Sequence, residues 1–180
     1  MKLEETNKKE YNILLGGSTI AGKTTYSNSY FEKRFYEVGH ATQTFCFRRI
    51  KELNKTKFLL FDSPHWDENK IFDRFIKTYI KNADGIILMF DLSKEEDFYK
   101  LPNFLNMITE FHELEDFPVL LIGNKSDLFI EVYEDKIEEF VERENLIGYF
   151  EVSCKTNKNV EESIDFIVDY INKKEKKKFA

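Results

Sequence analysis

Residues 11–16, YNILLG, form a short apolar run, and the chain then reads GSTIAGKTT before a polar, helix-compatible segment over 23–33. From Gly17 the spacing is G-x-x-x-x-G-K-T, set between an expected strand and an expected helix, the context that a P-loop requires. Such a loop turns successive backbone N–H groups inward. The helix N-terminus behind it adds its dipole, so phosphate groups are held there. Lys23 reaches the outer phosphates, and the Thr24 hydroxyl supplies a hard oxygen for Mg²⁺. Ile20, Ala21, Gly22 and Thr25 complete the candidate phosphate-binding set. A loop of this kind at the end of a buried strand demands a sheet with helices packed on it.

The rest of the chain meets that demand. TFCFRRIKELNKTKFLLFD reads as two strands joined by a polar turn at Asn54. NKIFDRFIKTYIK has apolar residues at 71, 72, 75, 76, 79 and 80, a helical spacing. GIILMFD is a continuous apolar run, the mark of a strand covered on both faces. A helix is expected from there to about Leu114, with Pro102 as a kink or a late start. VLLIG after Pro118 is a strand, roughly Val132 to Glu144 a charged helix, IGYFEVS the last strand and NVEESIDFIVDYINKK the last helix. Strands alternate with helices, which predicts an α/β fold with six strands, mostly parallel, and helices on both faces. One domain over 11–172 is expected, with a flexible N-terminus over 1–10 and a lysine-rich tail over 173–180.

Composition excludes several classes. The net charge of −6, without a basic block inside the chain, argues against nucleic-acid binding. The terminal NKKEKKKFA is a helix end or linker, or a contact for an anionic membrane. No apolar run reaches membrane-spanning length. The polar start, MKLEETNKKE, has no signal-peptide core, and Lys2 stands where myristoylation needs a glycine. Cys46 and Cys154 form no spaced metal motif, which fits a reduced, cytoplasmic protein, and neither stands near the end as a prenylation acceptor, so no direct lipid anchor is expected. His40, His65 and His112 are scattered, as surface or structural histidines are.

The base specificity comes from LLIGNKSD. Asn124, Lys125 and Asp127 follow directly on a buried strand. An ionised Asp127 accepts hydrogen bonds only, so it pairs with the N1–H and exocyclic amine of guanine, while adenine offers no such donor pair. The Lys125 stem covers a face of the base. EVSCK places Ser153, Cys154 and Lys155 at the end of the last strand, where the Cys154 N–H is expected to meet the guanine O6.

With GSTIAGKT, TQTFCF, YIKNADGIILMFDLS, GNKSD and SCK in this order, the chain resembles a small GTPase of the Ras superfamily, Rab-like, over roughly residues 10 to 172. The resemblance implies a single P-loop G domain, GTP and GDP as ligands, and Mg²⁺ as cofactor. It implies that Phe35 stacks on the guanine and that Thr42 is the first-switch threonine, a Mg²⁺ ligand that senses the γ-phosphate. Asp62 resembles the second-switch aspartate, which holds Mg²⁺ through water. Phe47, Phe61 and Tyr79 resemble the aromatic triad that Rab proteins show to effectors, with core packing as the alternative. Effectors, and an exchange factor or activating protein, are the implied partners. The implied place is the cytoplasm, with peripheral membrane contact through partners or residues beyond this chain.

Behind Asp62 the chain departs from the family. The family continues Asp-x-x-Gly-Gln; here the residues are Asp62, Ser63, Pro64, His65 and Trp66. No glycine lies between Gly39 and Gly85, and Gln43 is the only glutamine, so no shift of register restores either residue. The family's glycine offers an N–H to the γ-phosphate, and its glutamine orients the attacking water. Pro64 and His65 stiffen the loop, and Trp66 has a donor but no acceptor. Thr19 and Ile20 add bulk to the P-loop. Slow hydrolysis is therefore expected, with no certain catalytic residue. Asp62, Pro64 and His65 also resemble the Asp-x-Pro-Gly-His of translational GTPases without its glycine, which makes His65 a candidate substitute for positioning water. The expected function is a Rab-like guanine-nucleotide switch in membrane or vesicle traffic. The alternative is a nucleotide-locked pseudo-GTPase scaffold that recruits partners without cycling.

Overall fold

The computed structural model describes residues 10–35, 47–53, 56–62 and 70–178. In chain order these form β1 (Glu10–Gly17), α1 (Lys23–Glu32), β2 (Phe47–Leu53), β3 (Thr56–Asp62), α2 (Lys70–Lys81), β4 (Gly85–Asp91), α3 (Glu95–Phe98), α4 (Leu101–Thr109), β5 (Val119–Asn124), α5 (Glu134–Arg143), β6 (Gly148–Glu151) and α6 (Val160–Lys178). The strands make one six-stranded sheet in the order β2-β3-β1-β4-β5-β6. β2 runs antiparallel to β3, its hairpin partner, and the remaining pairs are parallel.

The apolar runs become strands because both faces of the sheet are covered. Alternate residues of each strand serve opposite faces. Ile13, Leu15, Ile87, Met89, Leu120 and Ile122 pack toward α1 and α6. Leu14, Ile86, Leu88, Phe90, Val119 and Leu121 pack with Ile76 and Ile80 of α2, Phe104 and Leu105 of α4, and Phe140 of α5. Burying each such side chain is worth about 1.5–3 kcal/mol, which secures the strand register that the site depends on.

α1 has almost no apolar stripe, yet Tyr26, Ser27, Ser29 and Tyr30 are buried. Hydrogen bonds make the burial of Tyr26 and Ser29 tolerable. The Tyr26 and Ser163 hydroxyls bond at 2.7 Å, joining α1 to α6, and Ser29 Oγ donates to the Cys154 carbonyl at 3.3 Å.

The helix expected to run to Leu114 is broken into α3 and α4, and α4 ends at Thr109. Pro102 sits in the first turn of α4, where its missing N–H costs nothing, so of its two readings the late start is the one found. Past the helix, the His112 ring stacks on Phe117 at 3.8 Å and meets the Ile80 carbonyl at 2.7 Å, fixing it as a structural histidine. α6 continues through Lys178, past the expected domain boundary at 172. Among the described residues no helix is long and apolar enough to cross a membrane.

Candidate functional site

Parallel register brings the chemistry to one edge. Leu15 pairs with Asp62, Gly17 with Met89, Asp91 with Asn124, and Gly123 with Glu151, so the C-terminal ends of five strands open together. β1 lies between β3 and β4, and the chain crosses over it to link them, a place where α/β sheets take ligands.

The loop after β1 needs its glycines. Gly17 has φ +121°, and an added β-carbon would collide with the Met89 carbonyl. Gly22 has φ +85°, and a β-carbon there would lie 2.5 Å from Asn124 Nδ2. Gly22 is the N-cap of α1 in left-handed geometry, so the chain turns inside one residue from loop to helix.

Lys23 is folded back along this loop, donating to the Gly17 carbonyl at 3.1 Å and the Ser18 carbonyl at 2.7 Å. It is 4 % exposed, and burial lowers its pKa to about 8, against the opposing pull of the Asp62 and Asp97 charges. Asp62 is also buried, which pushes its pKa up; the Thr24 hydroxyl, which bonds to it, and the charges of Lys23 and Arg49 act the other way. One oxygen of Asp62, Oδ1, makes no hydrogen bond among the described residues. A buried carboxylate with an unmatched oxygen, bonded to a threonine hydroxyl beside a phosphate-type loop, is a hard-oxygen donor set that fits Mg²⁺. Among the described residues no cluster of three or more His, Cys, Asp or Glu makes a metal site by itself.

The base-side residues interlock with this loop. Asn124 is 2 % exposed; its Nδ2 donates to the Ala21 carbonyl at 2.8 Å, and its Oδ1 accepts the Cys154 N–H at 3.3 Å. A single amide thus joins the phosphate loop, the end of β5 and the loop after β6. Lys125 adopts left-handed geometry with φ 66° and pairs with Asp91 Oδ2 at 2.6 Å. Asp91 in turn accepts from the Ser93 N–H at 3.0 Å and hydroxyl at 2.7 Å. Asp127 is exposed, and its Oδ1 accepts the Ser153 hydroxyl at 2.6 Å, while Ser153 Oγ takes the Thr156 N–H at 3.1 Å. Ser153 therefore sets the angle at which the carboxylate faces outward. Burial pushes the Cys154 thiol up to about 12, so at neutral pH it is a packing group.

Ile20 and Phe35 stand partly out of the surface, 40 % and 41 % exposed, and Lys155 is exposed, whereas Ala21 is fully buried. Thr25 lies in the first turn of α1, half-buried. Phe61 and Tyr79 meet at 5.4 Å between ring centroids, half-buried against the core. Phe47 is the β2 residue opposite Asp62. Thr42 lies outside the described residues, as do Ser63, Pro64, His65 and Trp66.

The Cys154 N–H, expected at a guanine O6, is engaged by Asn124 in the structure. Sequence reading also passed over Ser18, Asp91 and Asp97, which brace the loop and its lysines. Nothing in DLSKEEDF singles out Asp97 among its acidic neighbours; only its place just beyond β4, at the ligand edge, points to it.

Comparison with known proteins agrees with this geometry. A family model described as "Ras family" matches residues 12–173. Ras-related protein Rab-12 of Mus musculus is 32% identical over 167 residues, covering 90% of this chain and 67% of its own. Ras-related protein Rab-27B of Rattus norvegicus is 29% identical, covering 92% and 81%, and Ras-related protein Rab-18 of Lymnaea stagnalis is 30% identical, covering 88% and 79%. The phosphate loop, the Asn124 bridge and these likenesses converge: the chain belongs to the Ras family and is a Rab-like small GTPase of the Ras superfamily.

Proposed function

We propose that this chain binds GTP and GDP with Mg²⁺ and acts as a Rab-like switch in membrane or vesicle traffic, hydrolysing GTP slowly. The observation that carries the reading is the Asn124 bridge, which holds the phosphate loop at Ala21 and the base loop at Cys154 in one frame. Gly22, Lys23, Thr24 and Thr25 are assigned to the phosphates. Asp127 is assigned to the guanine edge, Lys125 and Phe35 to its faces, and Asn124, Ser153, Cys154 and Lys155 to the loops around it. Thr24, Thr42 and, through water, Asp62 are the residues that would hold Mg²⁺. When bound, the ion would supply positive charge to offset that of the phosphate oxygens.

The protein's own contribution is positioning. Lys23, held by two loop carbonyls, presents its charge to the outer phosphates. Asp62 keeps an acceptor ready at the end of β3. No glutamine follows Asp62 to orient water, and no glycine lets that segment close on the γ-phosphate, which supports slow turnover. The same two absences favour the second reading, a nucleotide-locked scaffold that recruits partners through the switch regions, with Phe47, Phe61 and Tyr79 as candidate contacts. Single-turnover GTP hydrolysis separates the two. A rate on the order of 10⁻⁴ s⁻¹ fits the switch, and no hydrolysis over days fits the scaffold.

A further inference from the structure

Outside the groups assigned above, one buried polar cluster touches the phosphate loop. Asp97, in α3, is 1 % exposed, and Ser18, in the loop, is 6 % exposed. The Ser18 hydroxyl donates to Asp97 Oδ2 across 79 residues of chain, and the Asp91 N–H donates to the same oxygen at 3.1 Å. The other oxygen, Oδ1, makes no hydrogen bond among the described residues, with the Lys100 ammonium 3.6 Å away. The carbonyl of this same Ser18 accepts Lys23 Nζ at 2.7 Å and the Ala21 N–H at 3.4 Å. Ser18 is thus gripped on one side by its hydroxyl and carries Lys23 on the other.

We propose that Asp97 is a positioning residue of the phosphate loop: anchored on the Asp91 amide, it grips Ser18 and so fixes the carbonyl on which Lys23 rests. A hydroxyl bonded to a buried carboxylate is stronger than a neutral pair and has few alternative partners when lost. Loss of the grip frees the first half of the loop to rotate. The lysine and the inward N–H groups then no longer share one geometry with the phosphates, and bound nucleotide leaves faster. Short α3, four residues long, carries this anchor from the end of β4 to the loop.

The inference rests on the guanine-nucleotide reading. The test is release of N-methylanthraniloyl-GDP, chased with excess GDP in Mg²⁺ buffer, from the unsubstituted protein, Ser18→Ala, Asp97→Ala, the double variant and Asp97→Asn. Ser18→Ala and Asp97→Ala are each expected to speed release about tenfold, the size of one charge-assisted hydrogen bond. The double variant should release no faster than Asp97→Ala alone, because Ser18→Ala removes a contact that Asp97→Ala already removes. Asp97→Asn keeps an acceptor for Ser18 and should stay within about threefold of the unsubstituted protein. If Asp97→Ala does not fold, Ser18→Ala against Asp97→Asn carries the comparison. Unchanged release in Ser18→Ala, or losses that multiply in the double variant, would overturn the grip. A fall in melting temperature with release unchanged would mark Asp97 as merely structural and overturn it equally. Failure of the unsubstituted protein to bind the fluorescent GDP at all would instead overturn the nucleotide reading beneath it.

Discussion

Asn124→Ala should loosen three segments at once. The amide makes two buried hydrogen bonds, to the Ala21 carbonyl at 2.8 Å and from the Cys154 N–H at 3.3 Å. Removing it deletes both and strands two backbone groups, one on Ala21, which is fully buried, and one on Cys154, which is 5 % exposed. Each stranded group costs about 1–3 kcal/mol, and the longer Cys154 bond belongs at the low end, so the expected loss is about 2–4 kcal/mol. In urea at a slope of about 2 kcal/mol/M, the midpoint should drop by roughly 1–2 M with the slope unchanged. Gly22→Ala strikes the same amide from the other side, since its β-carbon would lie 2.5 Å from Asn124 Nδ2. The two substitutions should therefore combine to less than the sum of their separate losses. Equilibrium urea unfolding of nucleotide-free protein, followed by far-UV circular dichroism, measures all three variants. A loss below about 0.5 kcal/mol in Asn124→Ala would refute the bridge, as would strict additivity with Gly22→Ala.

Three further outcomes are expected. Lys23→Ala and Thr24→Asn should each weaken nucleotide binding sharply, with Thr24→Asn acting more on GTP than on GDP, by titration calorimetry in Mg²⁺ buffer; unchanged binding in both would deny the loop its role. Lys23 has a folded pKa of about 8, below its ordinary value of 10.5, so the unfolded chain binds more protons between these values and stability should rise with pH across that window. The gap is worth roughly 3 kcal/mol, and Lys23→Met should be the more stable protein at pH 7 with its advantage shrinking by about pH 10 in urea titrations. A constant difference would contradict the burial cost. In single-turnover assays, His65→Ala should leave the slow GTP hydrolysis rate nearly unchanged; a large loss would make His65 the group that positions water.

β4 and β5 were the most legible strands because burial on both faces leaves an unbroken apolar run: every residue of GIILMFD in β4 is buried, as is every residue of β5. The phosphate loop and the Asn124, Lys125 and Asp127 set stand out in the sequence for another reason: their residue types and spacing are those that the proposed guanine nucleotide would require. Contacts made between distant segments left no such trace. Ser18 and Asp97 look like any loop serine and any helix acid until β1 and β4 are placed side by side. The bond between Tyr26 and Ser163 hides in the same way, because a polar α1 gives no hint that it is buried. The helix expected to reach Leu114 starts late at Pro102, one of the two readings of that residue, but stops at Thr109, short of His112, whose ring stacks on Phe117.

The central claim is that this edge of the sheet reads guanine. Its most direct test is competition for bound N-methylanthraniloyl-GDP by GDP, GTP, ADP and ATP in Mg²⁺ buffer, on the unsubstituted protein and on Asp127→Asn. A site that hydrogen-bonds the base edge should reject adenine nucleotides by at least about a hundredfold, and Asp127→Asn should erase most of that margin. Equal competition by ATP and GTP on the unsubstituted protein would contradict the account.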